Sequence, residues 1–306
     1  MGSAHQPVFY HEIIQALEPH DQGHYIDCTL GAGGHALGIL NASQPEGKLL
    51  GFDLDPQALV LARETLAPHE QRILLLQRSY IKLQETLQEI QWHLVNGIVL
   101  DLGASSMQFD TPERGFSFQE DAPLDMRFSP LQTENAADII NTYSEAELAE
   151  IIFRYGEERA SRRIAKAIIG MRPIRTTFEL ASLISTVIPR KGKRVHPATR
   201  TFQALRIAVN DEMGAIEGVL PQAVNALSPG GRLAVISFHS LEDRLVKQFF
   251  RHESKDCVCP PRQPICTCDH RARIMEITRK PVRPSNDEIV RNPRARSARL
   301  RIAEKL

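Results

Sequence analysis

The chain has 306 residues, 42% of them hydrophobic and 24% charged, with 37 basic and 37 acidic side chains. That composition supports a full apolar core and excludes a disordered, collagen-like or disulfide-stapled protein. No uncharged apolar run approaches the ~20 residues of a membrane span, and the first residues lack the apolar stretch of a secretion signal, so a cytoplasmic protein without a membrane partner is expected.

The charges are unevenly placed. Residues 154–210 hold 13 Lys and Arg against 3 Asp and Glu, and residues 255–306 hold 13 against 6, so segments of net +10 and +7 stand against −17 elsewhere. Two basic segments in a neutral chain suit a polyanionic partner. As solvated helix faces and an irregular tail they need no partner.

In chain order, "HYIDCTL" (24–30) reads as a strand and "GGHALGILNAS" (33–43) as a helix after a glycine turn. Strand 48–55 is followed by helix 56–67, with Pro56 in the first turn, where a missing N–H costs little. Strand 72–79, a helix near 81–90 and strand 95–103 complete an alternation that predicts βαβ units in a parallel sheet. In such a sheet, ligands bind at the carboxyl ends of the strands.

The alternation breaks after Gly103. Residues 105–143 are loop-rich. Ser144 to Glu147 and Thr176 to Glu179 have the spacing of capping boxes that open helices. A helix over 196–209 carries Pro197 in its first turn, and the next carries Pro221 in its interior. "SPGGRLAVISFHS" (228–240) returns to the sheet. The expected organisation is an α/β domain formed by 1–108 and 209–306, with a helical insertion over 109–208. In the last segment Leu300 and Ile302 alternate with Arg, as in a half-buried closing strand.

Gly31-Ala32-Gly33-Gly34-His35-Ala36 fits the loose dinucleotide pattern G-x-G-x-x-A, and Asp53 lies roughly 20 residues on, where ribose hydroxyls need an acceptor. NAD therefore fits, as does a tight turn with no ligand. Three features favour S-adenosylmethionine. Asp27 would repel a pyrophosphate but attract a cationic amino acid. Tyr80, after the third strand, offers an aromatic surface to adenine. "DLGASS" (101–106), after the fourth strand, puts a carboxylate and hydroxyls beside the site. A methyl transfer gains most of its rate from such alignment and fixed dipoles.

"DCTLGAGGH", "FDLDP", "LDLGASSMQFD", "RGFSF", "PLDMR", "YGEERASRRIA", "HPATRTFQALRI", "ISFHSLEDR" and "NPRARSARLR" together resemble the MraW (RsmH) family of S-adenosylmethionine-dependent N4-cytosine methyltransferases of small-subunit (16S) ribosomal RNA, from His5 to Lys305. The resemblance implies a class I, Rossmann-like methyltransferase sheet with an inserted helical domain. It also implies cofactor contacts at Gly33, Gly34, His35, Asp53, Tyr80, Asp101 and Gln108, and a partner in small-subunit rRNA or the ribosomal small subunit. A homodimer is left open. The ring of His35 has a second reading, as a cap on the helix start.

Cytosine N4 is a poor nucleophile because its lone pair is delocalised into the ring, so acceptors around its hydrogens would assist transfer. Many amino methyltransferases place Asp/Asn-Pro-Pro-aromatic here, and this chain departs from that pattern. Asp101 and Ser105 are the expected N4 acceptors. His239 is a further polar neighbour, or a structural partner of Glu242 or Asp243. Arg162, Arg163, Lys191, Lys193, Arg194 and Arg200 of the insertion are expected to meet RNA phosphates around a base that must leave its stack. No metal is expected in the activity, because some family members lack the cysteines. Cys257-x-Cys259 and Cys266-x-Cys268 are compatible with a four-thiolate zinc site or with reduced loop thiols. The rival functions are an NAD(P)-dependent oxidoreductase and a non-catalytic rRNA-binding assembly factor.

Overall fold

The computed structural model describes residues 7–188, 196–260, 263 and 265–306. In chain order they form α1 (Tyr10–Leu17), β1 (His24–Asp27), α2 (Gly34–Ala42), β2 (Lys48–Asp53), α3 (Pro56–Thr65), β3 (Ile73–Gln77), α4 (Leu83–Glu89) and β4 (Val95–Asp101). Helices α5 (Ser106–Asp110), α6 (Ala136–Thr142), α7 (Glu145–Gly156), α8 (Ser161–Met171), α9 (Thr177–Val187), α10 (Thr199–Asn210) and α11 (Glu212–Ala226) follow. The chain ends through β5 (Leu227–Ser237), α12 (Ser240–Glu253), β6 (Ile274–Glu276), α13 (Asn286–Arg291) and β7 (Arg299–Lys305). Two compact units result, Met1–Gly103 with Met213–Leu306, and Ala104–Glu212. The sequence pattern puts the joints at 108/109 and 208/209. The units join instead at 103/104 and 212/213, because Ser105 caps the short helix α5 and α10 continues to Asn210.

The first unit is a seven-stranded sheet in the order β3-β2-β1-β4-β5-β7-β6. Strands β1 to β5 are parallel, and β7 is antiparallel to both β5 and β6. This order, with an antiparallel β7 between β5 and β6, is the Rossmann-like sheet that the resemblance implies. Its central strands are apolar on both faces, as a sheet covered by helices on both sides requires. Ile26, Leu50, Phe52, Ile98, Leu100 and Val235 face one layer, which includes Ile216 and Val219 of α11 and Val246 and Phe250 of α12. Tyr25, Leu49, Val99, Ala234 and Ile236 face the other, with Ile13 of α1, Ile39 and Leu40 of α2 and Ala62 of α3.

Strand β7 departs from the expected half-buried alternation. Leu300 and Ile302 are buried, but so is Arg301, at 3% exposure. Asp243 of α12 permits this by accepting Arg301 Nε at 2.7 Å and Arg299 Nη1 at 2.8 Å. Burial alone would raise the Asp243 pKa, but the bonds from Arg301 and Arg299 outweigh it and hold the carboxyl below its usual range.

The second unit is helical. Leu148, Ile152, Ile164, Ile168, Leu180, Ile184, Phe202 and Leu205 share its core. Capping boxes start α7 at Ser144 and α9 at Thr176, as their sequence spacing predicts. Two further boxes, at Ser105 and Asn135, start α5 and α6 inside the stretch that reads as loop. The "PLDMRF" segment is tied down by polar contacts. Arg127 forks onto Asp125 through Nε and Nη2, both at 2.8 Å. Asn210 donates to Met126 O and accepts from Phe128 N–H, both at 2.7 Å. Gly115 sits at φ +70°, and a Cβ there would lie 2.3 Å from Pro123 O, so only glycine fits.

Candidate functional site

Asp27, Asp53 and Asp101 are the last residues of β1, β2 and β4. Strand β1 lies between the other two, so the three carboxyls gather at the carboxyl edge of the parallel sheet. Asp27 Oδ1 accepts the Thr29 N–H at 3.1 Å, which turns the chain out of the strand. Thr29 Oγ1 in turn accepts the Asp101 N–H at 2.6 Å and couples β4 to that turn. Asp53 spans the first loop, taking Gly31 N–H on Oδ2 and Asp55 N–H on Oδ1, each at 2.8 Å.

These carboxyls sit in an environment that disfavours their charge. Desolvation by burial, reinforced by the nearby Asp53, pushes Asp27 up to about 7, although the Thr29 N–H opposes the shift. Asp53 is raised to about 6 by burial against the N–H bonds from Asp55 and Gly31. Asp101 is raised to about 8 by burial and by the charges of Asp27 and Glu242. Asp27 Oδ2 and Asp101 Oδ1 are buried without a hydrogen-bond partner. A buried polar atom left this way is costly unless a ligand meets it. A cation near either oxygen would favour its ionised form, whereas a pyrophosphate would be repelled by an ionised carboxylate.

The glycine turn completes this edge. Gly33, at φ +82°, is the N-cap of α2, and a Cβ there would press on Leu66 at 3.3 Å. Gly34 and His35 begin the helix, where backbone N–H groups lack intrahelical acceptors. The His35 ring is buried, and Nε2 hydrogen-bonds Val8 O at 2.9 Å, tying the segment before α1 to the helix. Burial lowers its pKa to about 4, against the bond to Val8, so the ring is neutral. The alternative reading of the ring as a helix cap does not hold, because Gly33 is the N-cap and no side chain caps the helix. Tyr80 is half-buried after β3 and packs against the sheet's apolar layer.

His239 proves structural. It is the N-cap of α12, its Nδ1 accepting the Glu242 N–H at 3.4 Å. An accepting Nδ1 puts the proton on Nε2, which lies 3.1 Å from Glu242 Oε1. Glu242 Oε2 closes the box on the N–H groups of Phe238 and His239, at 2.7 and 3.2 Å. Glu242 is fully buried and adds its charge to the field on Asp101. The H-x-x-E spacing carried this signal, but histidine is an uncommon cap. Thr29 was also missed, having only its place between Asp27 and the glycines to mark it.

In the helical unit Ser105 and Gln108 are locked together. Ser105 Oγ accepts the Gln108 N–H at 3.3 Å, and Gln108 Oε1 accepts the Ser105 N–H at 3.0 Å. The S-x-x-Q spacing announces this box. Both groups therefore hold the start of α5, and any part they take in binding or transfer is added to that role. Arg162 and Arg163 are exposed on α8. Arg200 is exposed too, but its Nη1 donates to Glu157 O at 3.2 Å and lies 3.6 Å from Glu158, so it is partly turned inward. Lys191, Lys193 and Arg194 lie outside the described residues.

Residues 2–306 match the sequence model of the MraW methylase family. The ribosomal RNA small subunit methyltransferase H of Dehalococcoides mccartyi (strain ATCC BAA-2266) is 52% identical over 302 residues, 99% of this chain and 86% of that protein. The protein of that name from Thermomicrobium roseum is 50% identical over 309 residues, 100% of this chain and 95% of its own. The one from Geotalea uraniireducens is 51% identical over 307 residues, 99% and 98% of the two chains.

Proposed function

The chain belongs to the MraW methylase family, and from that premise we propose that it methylates the N4 amino group of a cytidine in the decoding region of small-subunit (16S) rRNA, using S-adenosylmethionine. The observation that carries the reading is the cluster of Asp27, Asp53 and Asp101 around a glycine turn, desolvated and, at two oxygens, without partners. That edge suits a cationic cofactor and disfavours NAD. Asp27 and Asp101 hold the cationic amino acid end. The backbone of Gly33, Gly34 and His35 lies along it, Asp53 accepts from ribose hydroxyls, and Tyr80 borders adenine. Gln108 adds a polar contact.

S-adenosylmethionine supplies a methyl group made electrophilic by the sulfonium. The chain's own residues must then orient a weak amine. Asp101 and Ser105 are the acceptors for the N4 hydrogens. Ser105 keeps a lone pair for this beside the one that caps α5. Asp101 can accept an N4 hydrogen only when ionised, the form that the positive charge of the bound cofactor favours over the raised value of the empty site.

The exposed Arg162 and Arg163 of α8 are the RNA phosphate contacts that fit best, and Lys191, Lys193, Arg194 and Arg200 extend the basic segment in sequence. An rRNA substrate favours action in the cytoplasm. No helix among the described residues is long and apolar enough to cross a membrane. The homodimer is a separate question for sedimentation.

Purified protein incubated with labelled cofactor and a small-subunit rRNA fragment should yield N4-methylcytidine on mass spectrometry. Unmethylated RNA bound at high affinity would favour a non-catalytic assembly factor, and binding heat with NAD but not S-adenosylmethionine would favour an oxidoreductase. RNA affinity should fall with salt, with a log–log slope of roughly −0.7 per single-strand phosphate contact. Arg162→Ala with Arg163→Ala should reduce that slope by about 1.4, and an unchanged slope would remove α8 from the interface.

A further inference from the structure

Five cysteines occur in the chain, and they sit in two different environments. Cys28 is buried after β1 among apolar side chains, where it behaves as a small hydrophobe. The other four, Cys257, Cys259, Cys266 and Cys268, gather on the surface connection between α12 and β6. We propose that they bind one zinc ion as a four-thiolate structural site that folds this connection.

Geometry is the first ground. All four sulfurs lie within 4.8 Å of one another. The separations are 3.6 Å for Cys257–Cys266, 3.6 Å for Cys266–Cys268, 3.8 Å for Cys257–Cys268 and 4.0 Å for Cys259–Cys266. Zinc–thiolate bonds of about 2.3 Å at a tetrahedral centre set sulfurs about 3.8 Å apart. A disulfide joins sulfurs in pairs, and nothing in that chemistry draws four of them into one cluster.

The second ground is the backbone around the sulfurs. The Val258 N–H, from the middle of the first C-x-C, points at Cys268 Sγ at 3.4 Å. The Thr267 N–H, from the middle of the second, points at Cys259 Sγ at 3.4 Å. The two short motifs thus exchange N–H···S bonds across the cluster. Such bonds stabilise sulfur as thiolate, the form that ligates metal, and orient the ligands.

The third ground is the lack of any other core among the loop's described residues. From Ser254 to Arg273 none of these is buried. Described residues that form no apolar centre have little to offset their ordering entropy. A metal ion supplies that free energy directly, as in small domains that fold only when loaded. The flanks are anchored to the α/β unit. Arg273 N–H donates to Glu253 O at 2.8 Å, and a ring nitrogen of His270 meets Lys255 O at 2.9 Å. An all-sulfur, closed, tetrahedral set selects a d10 ion such as zinc over magnesium or calcium, which need oxygen ligands. The site leaves no open position for chemistry, so its role is to hold the approach to strand β6.

The test uses the full chain, purified under reducing conditions without chelator. Elemental analysis should find about one zinc per chain. Cobalt exchanged into the protein should give the intense visible bands of a tetrahedral thiolate complex. Cys266→Ser should lower zinc at least tenfold while the circular dichroism of the α/β unit persists, and Cys28→Ala should retain it. Should Cys266→Ser fail to fold, the metal content and cobalt spectrum of the unaltered chain still decide. Less than a tenth of an equivalent of zinc with four titratable thiols, two disulfides on mass spectrometry, or bound iron in place of zinc would each overturn the assignment.

Discussion

Asp243 and the Asp27–Asp101 pair belong to the same sheet unit, yet they have been given opposite surroundings. Asp243 is buried against two guanidinium groups, which hold its pKa low and tie α12 to the closing strand. Asp27, buried, and Asp101, half-buried, have other carboxylates as the charges that act on them, and their pKa values rise to about 7 and about 8. A carboxylate used for architecture receives its counter-charge from the chain. On the proposed function, the other carboxylates are left for a cationic ligand, and the apo protein bears the cost in stability.

That contrast breaks most visibly at Arg301. Arg301→Met should destabilise the protein by about 1.5–3 kcal/mol, the range of a charge-assisted hydrogen bond, because Asp243 loses its buried partner but keeps Arg299. Urea unfolding measures it, and a variant as stable as the parent would show the pair to be incidental. Asp27→Asn should do the reverse to the apo protein at pH 8, stabilising it by on the order of 2 kcal/mol by removing a buried charge. The same change should weaken S-adenosylmethionine binding by about tenfold to a hundredfold, the range of a charged hydrogen bond. Calorimetry beside urea unfolding would reveal both signs, and a fall in apo stability would refute the idea of an unmet charge.

The pH dependence sharpens the comparison further. A carboxyl whose folded pKa is raised binds more protons folded than unfolded, so its contribution is present at low pH and is lost as pH rises. For Asp53, Asp27 and Asp101 that loss runs from about pH 4 up to about 8. Asp243, with a depressed pKa, contributes above the unfolded value and loses that contribution only in acid. Cofactor affinity should move the other way from apo stability, rising by up to about tenfold per unit between pH 6 and 8 for each proton released. S-adenosylhomocysteine, which lacks the sulfonium charge but keeps the ammonium of the amino acid end, should rise as steeply, and a flatter slope would make the sulfonium rather than the ammonium the partner of these carboxylates.

The smallest effect belongs to Ser105. Ser105→Ala should cost about 1 kcal/mol through loss of the α5 cap, whereas Ser105→Asp should retain most of that stability. If the serine also serves transfer, both variants lower kcat. Full activity in the stable Asp variant would leave Ser105 a cap and nothing more.

Much of the cofactor edge could be read in the chain. Alternating strands and helices placed Asp53 and Asp101 towards the ends of their strands and Asp27 inside a strand that in the structure ends at that residue, and the glycines announced a turn. The capping boxes at Ser105 and His239 were equally present as spacings. The first went unread because it sits in a stretch dominated by loop residues, and the second was legible only as a pairing of His239 with Glu242 or Asp243, because histidine is an unusual cap. The partner of the His35 ring, Val8 O, has no local signature at all.

The sequence by itself determined the class of this protein, because period, turn chemistry and strand-end acids are local properties carried by neighbouring residues. Which acids meet a cation and which do not was decided only by the tertiary structure. Asp243 meets Arg301 across 58 positions, and four cysteines converge from two motifs on one surface loop. Burial and counter-charge are properties of what folding brings together, so the pKa values that separate an architectural carboxylate from a binding one have no existence in the unfolded chain.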